Sequence, residues 1–214
     1  MNKNLTELVF ILDRSGSMSG LESDTIGGYN SYIEKQMKET GEAVVTTVLF
    51  DDDYEMIHDH ADIKKIKPIT NKEYYARGMT ALLDAVGKTI SHISKRHKFA
   101  PDSEIPSKTL VVIITDGYEN SSREYSNKQI KRMIEKQKKE HEWEFLFLGA
   151  NIDAVETAKS YGINEDRAVT YCADEMGTRT NFDAICDASS CLRNNAPLKS
   201  SWKSSVEKYM NKKG

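Results

Sequence analysis

No stretch of the 214 residues approaches the roughly 20 consecutive apolar positions that a membrane-spanning helix needs. The N-terminal apolar run, Leu8 to Leu12, is too short for the core of a signal peptide and is followed at once by charge, so the expected location is cytoplasmic and no membrane partner is expected. Cysteine is scarce. Cys172, Cys186 and Cys191 form an odd set with no CxxC pair, which predicts free thiols in a reducing compartment. Positive charge is not in excess either. With 30 Lys plus Arg against 33 Asp plus Glu, the formal net charge of −3 gives no long-range field to attract nucleic acid. A Gly-x-Ser-x-Gly elbow is absent, so Ser189 and Ser190 have no setting for nucleophilic catalysis. Of only four prolines, two lie in 98–107, which reads as a surface loop.

What is present is an alternation of short β-branched runs with longer polar stretches of helical period, the pattern of an α/β fold. Leu8 to Leu12, Val44 to Phe50, Leu110 to Thr115 and Phe145 to Leu148 are nearly unbroken apolar runs, as expected of central strands buried on both faces. Glu55 to Ile66 is more polar and follows the turn Asp51-Asp52-Asp53, which predicts a hairpin to one antiparallel edge strand. Ala168 to Tyr171 is the expected strand at the other edge. Helices are predicted over Glu22 to Thr40, Ala81 to Lys95, Asn127 to Glu140, Ile152 to Tyr161 and Thr180 to Asn194. The expected architecture is therefore a doubly wound, Rossmann-like three-layer α/β/α sandwich with a mostly parallel sheet. Gly27 and Gly28 are costly inside the first helix, so either the helix begins after them or it passes close to another backbone.

The length suits one domain, assigned to 1–194. Residues 195–214 carry five lysines against Glu207 and read as a basic C-terminal tail or a short terminal helix, the solvated tail being preferred. His58 and His60 stand two apart on the predicted edge strand, hence on one exposed face, with no third metal ligand evident. The Asp51 to Asp53 run lacks the Gly and Glu of an EF-hand loop and is read as a turn.

Two polar clusters follow predicted strands, at the edge where open α/β sheets bind ligands: Asp13-Arg14-Ser15-Gly16-Ser17 and Thr115-Asp116-Gly117. If the two strands are neighbours where the strand order reverses, Asp13 and Asp116 converge with the serine hydroxyls. Carboxylates and hydroxyls without Cys or His describe a site for a hard cation rather than zinc. Mg²⁺ suits such a lightly charged set, Mn²⁺ can replace it, and Ca²⁺, which wants more carboxylates, fits less well.

DRSGSM at Asp13 to Met18, GMTALLDAV at Gly78 to Val86 and VVIITDGYEN at Val111 to Asn120 together resemble the three-part metal-ion-dependent adhesion site of von Willebrand factor A domains. The likeness runs from about Leu5 to Leu192 with the parts in the family's order, as in a stand-alone, bacterial-type member. It implies that Asp13, Ser15, Ser17, Thr80 and Asp116 hold the metal, and that a protein partner supplies an Asp or Glu to it. The expected rim of the binding surface is Arg14, Met18 and Ser19, then Tyr75, Arg77 and Met79, then Tyr118, Glu119 and Asn120, because exposed Tyr, Met and Arg are the types enriched at interfaces. The expected function is thus a metal-dependent adhesion or adaptor module and not an enzyme. Alternatives are an accessory subunit of an ATPase, chelatase or stress-response complex, a Mg²⁺-dependent phosphohydrolase, and a fold that the metal merely stabilises. No histidine lies in the three motif loops to serve a hydrolase as base.

Overall fold

The computed structural model describes residues 1–213. In chain order the main elements are β1 (Asn2–Asp13), α1 (Glu22–Gln36), β2 (Glu42–Phe50), β3 (Tyr54–Asp62), α2 (Leu82–Phe99) and β4 (Pro106–Thr115). There follow α3 (Asn127–His141), β5 (Glu144–Ala150), α4 (Ala154–Ser160), β6 (Ala168–Tyr171), α5 (Glu175–Arg193) and α6 (Ser204–Lys213). The strands form one sheet in the order β3-β2-β1-β4-β5-β6. Every pairing is parallel except β2 with β3, so the antiparallel strand lies at the expected edge.

Strand alternation divides the core in two. Leu8, Phe10 and Leu12 of β1 point to one side and join Tyr29, Tyr32 and Ile33 of α1 with Phe182, Ile185 and Ala188 of α5. Val9 and Ile11 point to the other and join Leu82, Val86 and Ile90 of α2 with Ile130 and Ile134 of α3. The result is the three-layer doubly wound sandwich that the apolar runs predict.

Helix α1 runs through both glycines. A Cβ on Gly28 would fall inside the ring of Phe182, whereas one on Gly27 would meet nothing within 4 Å. Gly28 is therefore what lets α1 approach α5 so closely, and Gly27 has no such role.

Two readings of the sequence are corrected. The solvated C-terminal tail is replaced by a docked segment: Trp202 and Val206 belong to the core on the α1 side, and the Trp202 indole donates to the Asp166 carbonyl at 2.8 Å. The short terminal helix, the alternative reading of this segment, is the one that forms. The histidines of β3 do not share a face, because the β2–β3 register shifts and His60 takes a positive φ of 51°. His58 faces Tyr29 at 3.4 Å, while His60 turns to the other side of the sheet and meets Glu7 of β1 at 3.3 Å.

Glu7 is wholly buried, and both of its oxygens are matched: His60 Nδ1 and the Thr46 hydroxyl (3.1 Å) at Oε1, and His97 Nε2 (2.7 Å) at Oε2. Burial alone would raise its pKa. The two imidazoles outweigh that and hold it near 2.

Candidate metal site

The order reversal of the sheet falls between β1 and β4, whose register aligns Leu12 with Ile114. Asp13 therefore ends one strand beside Thr115 at the end of the other, and Asp116 follows directly. The Thr115 hydroxyl donates to Asp13 Oδ2 at 2.5 Å, and the Ser15 amide donates to Asp13 Oδ1 at 2.7 Å. Fully buried Tyr74 donates its hydroxyl to the Asp13 carbonyl, which fixes the strand end from below. A single 3₁₀ turn over Gly16–Met18 then brings Ser17 round, so that its hydroxyl donates to Asp116 Oδ1 at 2.5 Å and lies 3.2 Å from that of Ser15.

Thr80 enters from the loop before α2. A Cβ placed on Gly117 would lie 3.4 Å from the Ser17 hydroxyl and 3.6 Å from that of Thr80, so both oxygens face one small space beside a residue without a side chain. The five residues expected to bind metal thus meet at one edge of the sheet. They bring two carboxylates and three hydroxyls; among the described residues no group of three or more His, Cys, Asp or Glu gathers as a metal cluster. Burial, the opposing effect of hydrogen bonds from Ser15 and Thr115, and the nearby charge of Asp116 leave the Asp13 carboxyl pushed up to about 6. Burial likewise raises Asp116. Two buried acids with no cationic side chain to neutralise them, set among hydroxyls, fit a small divalent cation held by oxygen.

Neither a scan of family profiles nor a search of curated proteins by sequence finds a match. Solved structures do match. A mutant of the PilB minor pilin from Streptococcus sanguinis superposes with a TM-score of 0.62 at 12% identity, over 94% of this chain and 63% of that one. A von Willebrand factor type A protein from Catenulispora acidiphila gives 0.59 at 15% identity, over 88% and 43%. Proximal thread matrix protein 1 from the mussel byssus, with a zinc-occupied MIDAS motif, gives 0.59 at 14%, over 88% and 46%. The fold is that of a von Willebrand factor A domain. The chain spans about half the length of the mussel and Catenulispora proteins and under two thirds of the pilin.

Around the motif loops of this von Willebrand factor A fold, four of the nine expected rim residues hold the scaffold. Arg14 is buried, its side chain only 1% exposed, because Nε donates to Asp51 at 2.9 Å and Nη1 to Glu55 at 2.6 Å and to the Glu73 carbonyl at 3.2 Å. It points away from the site. Met18 is buried too, packed in the core beneath its loop. Glu119 is spent on the backbone, accepting from the amides of Leu83, Ser121 and Ser122 and from the Ser122 hydroxyl at 2.6–2.9 Å. Asn120 is exposed, yet its Oδ1 accepts from the Thr80 backbone amide at 2.9 Å while its backbone N–H donates to the Thr80 carbonyl at 3.1 Å. Arg14 and Met18 are thus corrected from partner contacts to buried supports, whereas Glu119 and Asn120 hold the loop backbone and keep some exposed surface. Tyr118 (61% exposed), Met79 (53%), Tyr75 and Ser19 do face solvent, as does Arg77 in part.

Several supports escaped the sequence. Asp51, read as a turn residue, is buried and clamps Arg14 and Arg77 with one oxygen, at 2.9 and 2.7 Å. Burial pulls its pKa up, but Arg77, the Asp53 amide and Arg14 together hold it below the usual carboxylate range. Its carbonyl accepts the Ala81 amide at 2.9 Å, next to Thr80. The Asp52 carboxylate accepts the Met79 amide and occupies the place a Cβ on Gly78 would need, where φ is +67°. Asp84 collects three consecutive amides, Arg123, Glu124 and Tyr125, at 2.8–2.9 Å. The one available signal was Arg14 itself: a cation set between buried positions needs a carboxylate, and the hairpin acids were the nearest uncommitted ones.

Proposed function

We propose that the chain is a metal-dependent protein-binding module in which Asp13, Ser15, Ser17, Thr80 and Asp116 hold one divalent cation, Mg²⁺ with Mn²⁺ as a substitute. When bound, the cation supplies an open coordination position that accepts a carboxylate from an Asp or Glu of a protein partner. The observation that carries the reading is the meeting of two unneutralised buried carboxylates with three hydroxyls at the switch point of the sheet. The zinc-occupied MIDAS motif named for the mussel protein supports it. In this reading Thr115 aims Asp13, Asn120 aims Thr80, and exposed Tyr118, Met79 and Tyr75 form the surface that a partner covers. A binding role is favoured over hydrolysis because Glu119 and Asp84, carboxylates of the adjoining loop and helix, already accept several amides each and are not free to take a proton from water.

Calorimetric titration of Mg²⁺ and Mn²⁺ into metal-stripped wild type and Asp116→Ala tests the site, and capture of partners with and without EDTA tests its use. Saturable binding lost in the variant, with EDTA-sensitive partners, supports the proposal. A wild type that takes up neither ion overturns the site. Metal binding that raises the melting temperature but leaves every captured partner insensitive to EDTA overturns the adhesive role.

A further inference from the structure

The near balance of charge over the whole chain conceals two unlike faces. Helices α2 and α3 cover the same side of the sheet and pack against each other. Together they carry ten Lys and Arg against Asp84, Glu135 and Glu140, and Asp84 is turned inward onto three amides. On the other side α1 and α5 carry six acids against Lys35, Arg179 and Arg193. The net charge of −3 therefore averages over a basic layer and an acidic one.

Most of the basic layer is uncompensated. Lys88 pairs with Glu124 at 2.7 Å, Arg96 with Asp59 at 2.6 Å and Lys136 with Glu140 at 3.8 Å, while Lys138 donates to the Gly162 carbonyl at 2.9 Å. Among the described residues Lys95, Lys98, Lys128, Lys131, Arg132 and Lys139 have no carboxylate within ion-pair distance, and all six are exposed. By helical period, Lys128, Arg132 and Lys139 fall opposite buried Ile130 and Ile134, and Lys95 falls opposite buried Ile90 and Ile93. The free charges thus point out of one layer in one direction. Phe99 shares the outward stripe of Lys95; it is 71% exposed, and Lys98 Nζ lies 5.4 Å from its ring centroid.

Three features choose what covers this face. Both helices lie flat on the sheet, so neither can enter a nucleic-acid groove. Five of the six free cations are Lys, a compact point charge suited to a diffuse layer of negative charge, whereas paired recognition of one phosphate or carboxylate favours the Arg fork, and Lys is depleted at protein interfaces. An exposed Phe among lysines gains nothing from phosphates alone but enters the boundary between headgroups and acyl chains. Opposing charge is limited to Glu135, which leans toward Gly162, and to Asp102 and Glu104 in the loop that leaves Phe99.

We propose that the α2–α3 layer docks on the surface of an anionic lipid bilayer, with its free lysines over the headgroups and the Phe99 ring inserted at the interface. This face uses none of the metal-loop residues and stands or falls without them.

The test is cosedimentation of the full chain with vesicles of phosphatidylcholine containing about 30% phosphatidylserine, in EDTA so that the metal loops take no part. Wild type should bind at low salt, be released as salt rises above about 0.3 M, and ignore pure phosphatidylcholine. Each cation near the surface is worth about fivefold, so Lys128→Ala with Arg132→Ala should weaken binding roughly twentyfold. Lys208→Ala with Lys212→Ala removes the same charge from α6, on the other side of the sheet, and should change binding by less than about twofold. Phe99→Trp should shift its emission to the blue on anionic vesicles, against the constant signal of buried Trp143 and Trp202. No binding of wild type, equal losses in the two double variants, a Phe99→Trp emission that does not move, or tighter binding to a random-sequence DNA duplex than to the vesicles overturns the proposal.

Discussion

Replacing Asp51 with Ala should cost far more than a hairpin residue ordinarily would. Its side chain is 2% exposed and that of Arg14 is 1% exposed, so the pair is removed from water on both sides. The substitution leaves Arg14 Nε without its acceptor, while Arg14 Nη2 already lacks one. Breaking a buried ion pair from one side costs about 3–5 kcal/mol, because the remaining charge is stranded. Glu55 still holds Nη1, which places the expected loss near the lower limit, about 3 kcal/mol. The second pair, to half-exposed Arg77, adds less than about 1 kcal/mol. Urea unfolding, analysed by linear extrapolation, reads the loss directly, and a fall of roughly 6–12 °C in melting temperature should accompany it. The control is Arg14→Met combined with Asp51→Ala, which removes the stranded charge and should recover about 2 kcal/mol. A loss below about 1 kcal/mol in the single variant, or strictly additive losses in the double one, would refute the buried clamp.

Asn120→Ala removes no proposed ligand but frees the Thr80 amide, so calorimetry should find metal affinity reduced roughly tenfold, between wild type and Asp116→Ala; unchanged affinity would mean that Thr80 needs no such support. Glu7 has a folded pKa near 2 against 4.5, a depressed carboxylate, so its contribution of about 3 kcal/mol is complete above pH 4.5 and is lost as pH falls towards 2. Chemical denaturation should therefore show wild type more stable than Glu7→Gln at neutral pH and the gap closing below pH 4.5; a constant gap from pH 7 to pH 3 counts against the His60 and His97 pairing. Gly28→Ala should destabilise by about 1–3 kcal/mol through Phe182, whereas Gly27→Ala should stabilise by about 0.5–1 kcal/mol. Equal effects at the two sites, read by thermal melts, would remove the close approach of α1 and α5 as the reason for Gly28.

The layers of this fold were legible because strands buried on both faces must be apolar throughout, and Leu8 to Leu12 and Leu110 to Thr115 announce themselves that way. Their end positions then carried Asp13 and Asp116 to the switch point without further information. The histidine error on β3 has the opposite origin. Period-two reasoning assumes an unbroken ladder, and the register shift that turns His60 inward leaves no mark in residue type. The preference for a solvated tail over a short terminal helix has a related cause: lysine marks a wet face, but Trp202 and Val206 decide that the segment docks.

The buried rim residues Arg14 and Met18 raise a more general point. Arg, Glu and Asn beside a proposed metal-binding loop are chemically suited either to touch a partner or to hold the loop, and sequence adjacency does not separate the two. Burial does. A site that offers two carboxylates and three neutral hydroxyls attracts a cation weakly for each ligand, so it depends on those oxygens being aimed before the ion arrives. The segment between Asp62 and Leu82 has only one 3₁₀ turn of its own, and it is fastened by Asp51, Asp52 and Asn120 through Arg77, Met79 and Thr80. The third loop is fastened to α2 in the same manner by Glu119 and Asp84. The polar residues flanking these motifs thus fasten the loops, and under the proposed function contact with a partner falls to the exposed side chains beside them: Met79 and Tyr118, whose apolar surface no fastening explains, and Tyr75, whose ring lies against Arg14 and Arg77.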